Sequence, residues 1–117
     1  MNKKLFIAII LAILSTGAMA QSKLDSVKIQ TSAQCDMCKE RIEEALAFER
    51  GVKNSQLDLE DKLVTVYYKS SRTNPEDIRK AITRVGYDAD DVPADQKAYN
   101  RLPGCCKKPG DPDHETH

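Results

Sequence analysis

Two pairs of cysteines are the residues of this chain whose type and spacing could do chemistry. Cys35 and Cys38 are separated by two residues, and Cys105 and Cys106 are adjacent. A disulfide within either pair would close almost no loop, so it would constrain the unfolded chain very little. The pairs therefore fit a metal chelate or a redox couple better than a set of structural disulfides, although disulfides between the two pairs remain an alternative.

The first pair lies where a predicted strand passes into a predicted helix. The start of a helix carries a partial positive charge and free N–H groups, which lower the pKa of a thiol and stabilise the thiolate. Two soft sulfur ligands select soft ions and do not complete the tetrahedral shell that structural zinc requires. Cys35 and Cys38 are therefore predicted to bind Cu(I), with Hg(II), and after it Zn(II), as the other candidate ions.

The elements that must position this pair can be followed from residue 27 onward. The predicted order is a strand at 27–31, a helix from Cys38 to Arg50, strands at 52–59 and 63–69, a helix from Pro75 to Val85, and a strand at 87–92. The strands follow from alternating or β-branched patterns and the helices from spacings of three and four. This order predicts an α+β, ferredoxin-like β-α-β-β-α-β sandwich, with two helices on a four-stranded antiparallel sheet.

The first twenty residues have the features of an export signal. Lys3 and Lys4 precede the apolar run Leu5–Leu14, and Ala18-Met19-Ala20 supplies a cleavage pattern. The run is shorter than the about 20 residues that span a bilayer as a helix. Residues 1–20 are predicted to be a cleaved signal peptide, with an uncleaved anchor helix as the alternative, and the mature chain is expected to be periplasmic or secreted.

The mature chain is expected to be one small domain, at 24–93, followed by a tail at 94–117. One or two helical turns are predicted between Ala94 and Arg101, and the rest, rich in Pro, Gly and charge, is predicted to be flexible. The 18 basic residues of the whole chain balance 18 acidic ones. That balance argues against nucleic acid or an anionic membrane as partner, and we expect a monomer that does not insert into the membrane after signal cleavage.

The tail carries further potential ligands. Cys105 and Cys106 could fold back toward the first pair or load a partner, and His114 and His117 are weaker candidates of the same kind. The alternative is that the adjacent cysteines oxidise and the histidines are simply solvated. The acidic residues Asp88, Asp90 and Asp91 lack the spacing of a calcium loop and are predicted to be a solvated strand end.

A set of short motifs is spread through residues 26–92, namely Cys35-Asp36-Met37-Cys38, Ile42, Leu46, Gly51-Val52, Leu63-Val64-Thr65-Val66, Ile78-Arg79-Lys80-Ala81-Ile82 and Gly86-Tyr87. With these motifs the segment resembles the heavy-metal-associated domain family, which includes copper chaperones, modules of copper-exporting ATPases and a periplasmic mercury-binding protein. The resemblance implies that Cys35 and Cys38 are the metal ligands. It also implies that Tyr87 lies beside the metal loop and shields the site or tunes its charge; the alternative for Tyr87 is a core aromatic.

The chain departs from the family pattern just before the first cysteine. Ser32-Ala33 stands where the family has Gly-Met, and that methionine normally packs beneath the loop. The smaller alanine predicts a looser or repacked loop. Met37, between the two cysteines, is expected to point to solvent, with a thioether ligand as the minor alternative.

These features predict a carrier of a soft metal ion and not an enzyme. Transfer would proceed by ligand exchange with a metal-transporting membrane protein or another thiol-bearing domain. Two alternatives are a thiol–disulfide oxidoreductase, since Cys-x-x-Cys at a helix start is also that chemistry's arrangement, and a structural domain whose cysteines are held as a disulfide. The residue before Cys35 is Gln34, where thioredoxins carry an aromatic, and the strand order also differs from theirs.

Overall fold

The computed structural model describes residues 23–115. The elements are strands β1 (Leu24–Gln30), β2 (Val52–Asp58) and β3 (Leu63–Lys69), helices α1 (Asp36–Ala47), α2 (Pro75–Arg84) and α3 (Gln96–Asn100), and a 3-10 turn at Gly104–Cys106. The predicted signal peptide, residues 1–20, and the candidate ligand His117 lie outside the described residues. No helix within residues 23–115 combines the length and apolar character needed to cross a membrane.

The three strands form one antiparallel sheet with the order β1-β3-β2. Val64 in the central strand pairs with Ile29 of β1 and Leu57 of β2, and all three side chains are buried. Because alternate residues of a strand point to opposite faces, the same register leaves the neighbouring Tyr67 exposed. One face of the sheet is therefore covered, and the other is open to solvent.

The predicted fourth strand is wrong. Residues 87–92 contain only two isolated bridges, Thr31 to Ala89 and Ala89 to Val92. The chain turns at Asp90, whose φ of 54° is left-handed, and this residue donates its N–H to Gln30 O at 2.8 Å. An aspartate tolerates this conformation and favours turns, so the segment folds back on itself at the sheet edge and does not extend along β1.

The covered face holds the hydrophobic core. Helices α1 and α2 contribute buried side chains at helical spacing, namely Cys38, Ile42, Leu46, Ile78, Ala81 and Ile82. These pack with the buried strand residues into one cluster. The predicted start of α2 is confirmed, because Asn74 Oδ1 accepts the N–H of Asp77 at 2.9 Å and Pro75 occupies the first helical position.

The described part of the tail that was predicted to be flexible is folded against the domain. We call residues 96–115 the strap: it consists of α3, the 3-10 turn and the segment that follows. The short helix expected between residues 94 and 101 is present as α3, with Asp95 as its N-cap. The difference from expectation lies in the Pro- and Gly-rich remainder, where Leu102, Cys105 and Cys106 are buried in the same core cluster as the domain.

A group of polar contacts holds the strap in this position. Tyr99 Oη accepts the N–H of Lys108 at 3.0 Å and donates to Asp111 Oδ2 at 2.7 Å. Lys107 Nζ donates to the carbonyl oxygen of Tyr99 at 2.8 Å and lies 4.6 Å from the centre of its ring. Lys108 Nζ forms an ion pair with Asp88 Oδ2 at 2.6 Å, which ties the strap to the loop beside the cysteines.

A glycine allows the strap to approach that loop closely. Gly86 has a φ of +104°, and a Cβ added there would lie 3.0 Å from the carbonyl carbon of Ala98 and 3.1 Å from the amide nitrogen of Tyr99. Only a residue without a side chain fits such a backbone contact without displacement. Asp95 N–H also donates to Thr83 O at 3.0 Å, so α3 begins against the end of α2.

Candidate metal centre

Cys35 is the N-cap residue of α1, in extended conformation, and Cys38 lies in the first turn. The carbonyl oxygen of Cys35 accepts the N–H of Lys39 at 3.1 Å, which closes that turn. No side chain caps the helix start, so its amide groups are available to a negative sulfur. Cys35 is half-buried and Cys38 is fully buried, so the site has one accessible and one enclosed thiol.

The loop before Cys35 is firmly held, although Ser32-Ala33 departs from the family pattern. Ala33 is fully buried, and its N–H donates to Thr31 Oγ1 at 3.2 Å. Ser32 Oγ accepts the N–H of Asp88 at 2.9 Å, which joins this loop to the loop after α2. Of the two outcomes predicted for this loop, looser or repacked, the structure therefore supports the repacked loop. Polar contacts hold it where the family has a packed methionine.

Three sulfur atoms lie together at the end of the core. Cys35 Sγ is 3.4 Å from Cys38 Sγ and 3.8 Å from Cys106 Sγ, and Cys38 Sγ is 2.7 Å from Cys106 Sγ. The fourth thiol, Cys105, lies 4.0 Å from Cys106, and the sulfurs of Cys35, Cys105 and Cys106 all lie within 4.8 Å of one another. The strap thus brings the second cysteine pair onto the first.

The cluster has one acidic thiol and two thiols that favour the protonated form. Burial opposes ionisation of Cys35, but the Cys38 N–H and the neighbouring thiols donate hydrogen bonds that keep the pKa of Cys35 below its ordinary value. Burial and the Cys38 sulfur raise the pKa of Cys106. Burial and the nearby Cys35 sulfur raise the pKa of Cys105. Cys35 is also the most accessible of the four thiols, so it is the one that most readily offers a thiolate to solvent.

Tyr87 lies fully buried beside the thiols of Cys38 and Cys106. Its hydroxyl oxygen is buried and has no partner with hydrogen-bond geometry among residues 23–115. Burial, followed by these two cysteines, raises the pKa of its phenol, so the hydroxyl keeps its proton. The ring belongs to the buried core, as the alternative interpretation expects, and the shielding or charge-tuning role that the resemblance implies for Tyr87 stays a prediction.

The remaining candidates have other contacts. Met37 is 45 % exposed, and its Sδ lies 4.0 Å from Cys105 Sγ at the rim of the cluster. His114 Nδ1 is 2.7 Å from the carbonyl oxygen of Lys107, a contact within the strap. The carboxylate of Asp90 is paired with Arg79 at 2.8 Å, and that of Asp88 is paired with Lys108 at 2.6 Å.

The sequence indicated both cysteine pairs but not their convergence. Both pairs are thiols that bind soft metal ions, and this shared chemistry suggested that the tail could fold back toward the first pair. The decisive contacts were not recognisable in advance, since Tyr99 and Lys107 have no motif of their own. Gly86 follows the predicted end of α2, and it is also the residue against which α3 packs.

An antiparallel sheet covered by two helices, with a Cys-x-x-Cys at the start of the first helix, defines a class of small metal-binding domains. The model of the heavy-metal-associated domain matches residues 32–88. The copper chaperone CopZ of Staphylococcus haemolyticus is 39% identical over 54 residues, which are 46% of this chain and 79% of that protein. The chain belongs to the heavy-metal-associated domain family, and it is similar to copper chaperones.

Solved structures agree with this assignment. The CopZ metallochaperone has 29% identity and a TM-score of 0.54, over 56% of this chain and 98% of the other. The N-terminal domain of a potential copper-translocating P-type ATPase from Bacillus subtilis, solved in the Cu(I)-loaded state, has 25% identity and a TM-score of 0.55, over 58% and 86%. The strap, residues 96–115, lies beyond the family match, which ends at residue 88.

Proposed function

We propose that this protein binds Cu(I) through Cys35 and Cys38 and passes it to another thiol-bearing protein. The observation that carries this proposal is the 3.4 Å separation of the two sulfurs at an uncapped helix start. Two soft ligands beside helical N–H groups favour a soft monovalent cation over a hard one. The similarity to copper chaperones supports copper over mercury; Hg(II) remains a competing ligand that the same sulfurs would accept.

Transfer by this site would be ligand exchange and not catalysis. A thiolate of the acceptor binds the ion, one of the two original sulfurs leaves, and a second acceptor thiolate completes the exchange. Each acceptor thiol releases its proton to solvent on binding, and each departing cysteine takes one up, so no electrons are exchanged. The exposed residues Asp36 and Met37, between the two cysteines, are the surface against which an acceptor would dock, because Gly86 and Tyr87 are buried and Asp88 is paired with Lys108 of the strap.

The location and the acceptor are part of the same proposal. The sequence pattern of residues 1–20 supports export, which would place the carrier in the periplasm or outside the cell. The similarity to a domain of a potential copper-translocating ATPase supports a membrane transporter, or a thiol-bearing domain of one, as the acceptor. In an oxidising compartment the cysteines must be kept reduced or occupied by metal.

A competition titration tests the proposal. Reduced protein without residues 1–20 is titrated with Cu(I) against a chromophoric chelator, in the absence of oxygen. Wild type is expected to withdraw Cu(I) from the chelator, and Cys35→Ser/Cys38→Ser to lose the high-affinity site. Met37→Leu is the matched control, because it removes the neighbouring thioether sulfur and replaces it with a side chain of similar size. This variant should bind Cu(I) as wild type does. A wild-type protein that leaves Cu(I) with the chelator refutes the proposal.

A further inference from the structure

We infer that Cys106 is a third sulfur ligand of the bound ion, so that the strap closes a three-sulfur site over the Cys-x-x-Cys pair. This inference rests on the proposed function. The inference goes beyond the proposed function because it predicts that Cys106 binds the ion before any acceptor arrives. The strap lies outside the segment matched by the family, so the third ligand is a property of this chain.

The sulfur positions fit three ligands better than two. With a metal–thiolate distance of about 2.3 Å, two sulfurs on a linear ion lie about 4.6 Å apart, and three around a trigonal ion lie about 4.0 Å apart. The Cys35–Cys38 distance of 3.4 Å and the Cys35–Cys106 distance of 3.8 Å are closer to the trigonal value. The 2.7 Å contact between Cys38 and Cys106 must widen as the ion enters.

Cys106, and not its neighbour, occupies the ligand position. Cys106 is 1% exposed and lies within 3.8 Å of both cysteines of the first pair. Cys105 Sγ lies 4.0 Å from Cys106 Sγ and from Met37 Sδ and within 4.8 Å of Cys35 Sγ, so it adjoins the cluster without the short contact to Cys38 that Cys106 makes. The backbone fixes this arrangement, since the Cys106 N–H donates to Pro103 O at 2.9 Å and the Lys107 N–H donates to Gly104 O at 3.1 Å.

The buried hydroxyl of Tyr87 is a second, independent feature that points to an ion at this place. A buried O–H without a hydrogen-bond partner costs stability. Tyr87 lies beside Cys38 and Cys106. When these thiols exchange their protons for a cation, the sulfurs become stronger acceptors, and the hydroxyl gains a charged partner. The metal-bound form of the cluster therefore gives this buried donor stronger acceptors than the neutral thiols that lie beside it.

The third ligand changes how the carrier releases its ion. An acceptor's first thiolate would normally take the third position on a two-coordinate ion. Here Cys106 already occupies that position, and the strap covers the route to it. Release then requires the strap to move away, with Cys106 taking a proton from solvent as its bond to the ion breaks. The protein is thus built to retain its ion until the strap opens.

X-ray absorption of the Cu(I)-loaded, fully reduced protein tests the coordination number. Wild type is expected to show three sulfur neighbours. Cys106→Ser should show two sulfur neighbours and still withdraw Cu(I) from the chelator, with an affinity lower by about tenfold or more, since even the loss of a group that only supports a metal ligand costs about that much. Cys105→Ser, which removes a thiol one residue away, should keep three. The variant Cys106→Ser should also give up Cu(I) faster to a small dithiol acceptor.

The outcomes separate this inference from the proposed function. Two sulfur neighbours in wild type, or three in Cys106→Ser, overturn the third ligand and leave Cu(I) binding by the first pair intact. Two neighbours in Cys105→Ser with three in Cys106→Ser also overturn it, since the ligand would then be the other cysteine. Failure of wild type to bind Cu(I) at all refutes the proposed function itself. Far-ultraviolet circular dichroism of each variant confirms that it is folded.

Discussion

Removing one hydroxyl group, by Tyr99→Phe, should loosen the strap without unfolding the domain. Tyr99 Oη accepts the N–H of Lys108 at 3.0 Å, and the substitution leaves this N–H without its partner. A hydrogen bond of this kind contributes about 1 kcal/mol, which is about fivefold in an equilibrium constant. Tyr99 Oη also donates to Asp111 Oδ2 at 2.7 Å in a part-buried contact, whereas the Lys108 contact is exposed and water partly replaces it, so about 1 kcal/mol is taken for the two bonds together. The fraction of molecules with an open strap should rise about fivefold.

Amide hydrogen exchange of the reduced protein measures that opening. The amides of Cys106 and Lys107 report it because both residues are buried while the strap is closed, and their hydrogen-bond acceptors, Pro103 and Gly104, do not involve the altered tyrosine. Their exchange should become about fivefold faster. The amide of Ile42, in α1, should exchange as in wild type.

The matched control is Tyr67→Phe, which removes the same hydroxyl from the open face of the sheet. This variant should leave every strap amide unchanged. Equal rates at Cys106 in Tyr99→Phe and wild type would refute the account of how the strap is held. So would an equal increase at Ile42, because the strap and the domain would then open as a single unit.

Three further substitutions test other parts of the fold. Gly86→Ala should lower the free energy of unfolding by at least about 2 kcal/mol in urea, through its positive φ and the collision with Ala98. Ile42→Ala, at a fully buried position, should cost about 2–5 kcal/mol in the same assay. Burial opposes ionisation of Asp90, but Arg79 and the Gln30 N–H hold its pKa below the ordinary value. Its contribution to stability is therefore present above the unfolded pKa of about 3.9 and lost as the pH falls through the lower folded pKa; Asp90→Asn should flatten that acid dependence, and an unchanged slope contradicts it.

Local signals in the sequence were sufficient where one element decides its own structure. The strand Leu63–Lys69 has the predicted bounds, since its β-branched and aromatic residues pair on both sides. The start of α2 follows from Asn74 and Pro75, whose effects depend on the backbone of a single turn. The placement of both cysteines of the first pair at the start of α1 follows in the same way from the change of apolar period.

Long-range contacts decided the parts that local signals did not give. The fourth strand fails because the carboxylate of Asp90 accepts the N–H of Gln30, sixty residues away, and this contact favours a turn over an extended segment. The strap was predicted to be flexible because its Pro, Gly and charged residues have no apolar period. It folds because Lys107 and Lys108 find partners on Tyr99 and Asp88. Composition cannot show such pairings, since each depends on where the rest of the chain has folded.

The strap connects the stability of the fold to the release of the ion. If Cu(I) leaves only after Cys106 has moved away, the rate of transfer to an acceptor is proportional to the fraction of molecules with an open strap. The about fivefold increase in opening expected for Tyr99→Phe should then reappear as about fivefold faster transfer from the loaded protein. This comparison is sharper than either measurement alone, because Tyr99 contributes no ligand and its loss leaves all four thiols in place. Faster amide exchange with unchanged transfer would mean that the ion leaves from the closed state, and that the strap holds a sulfur near the ion without controlling its release.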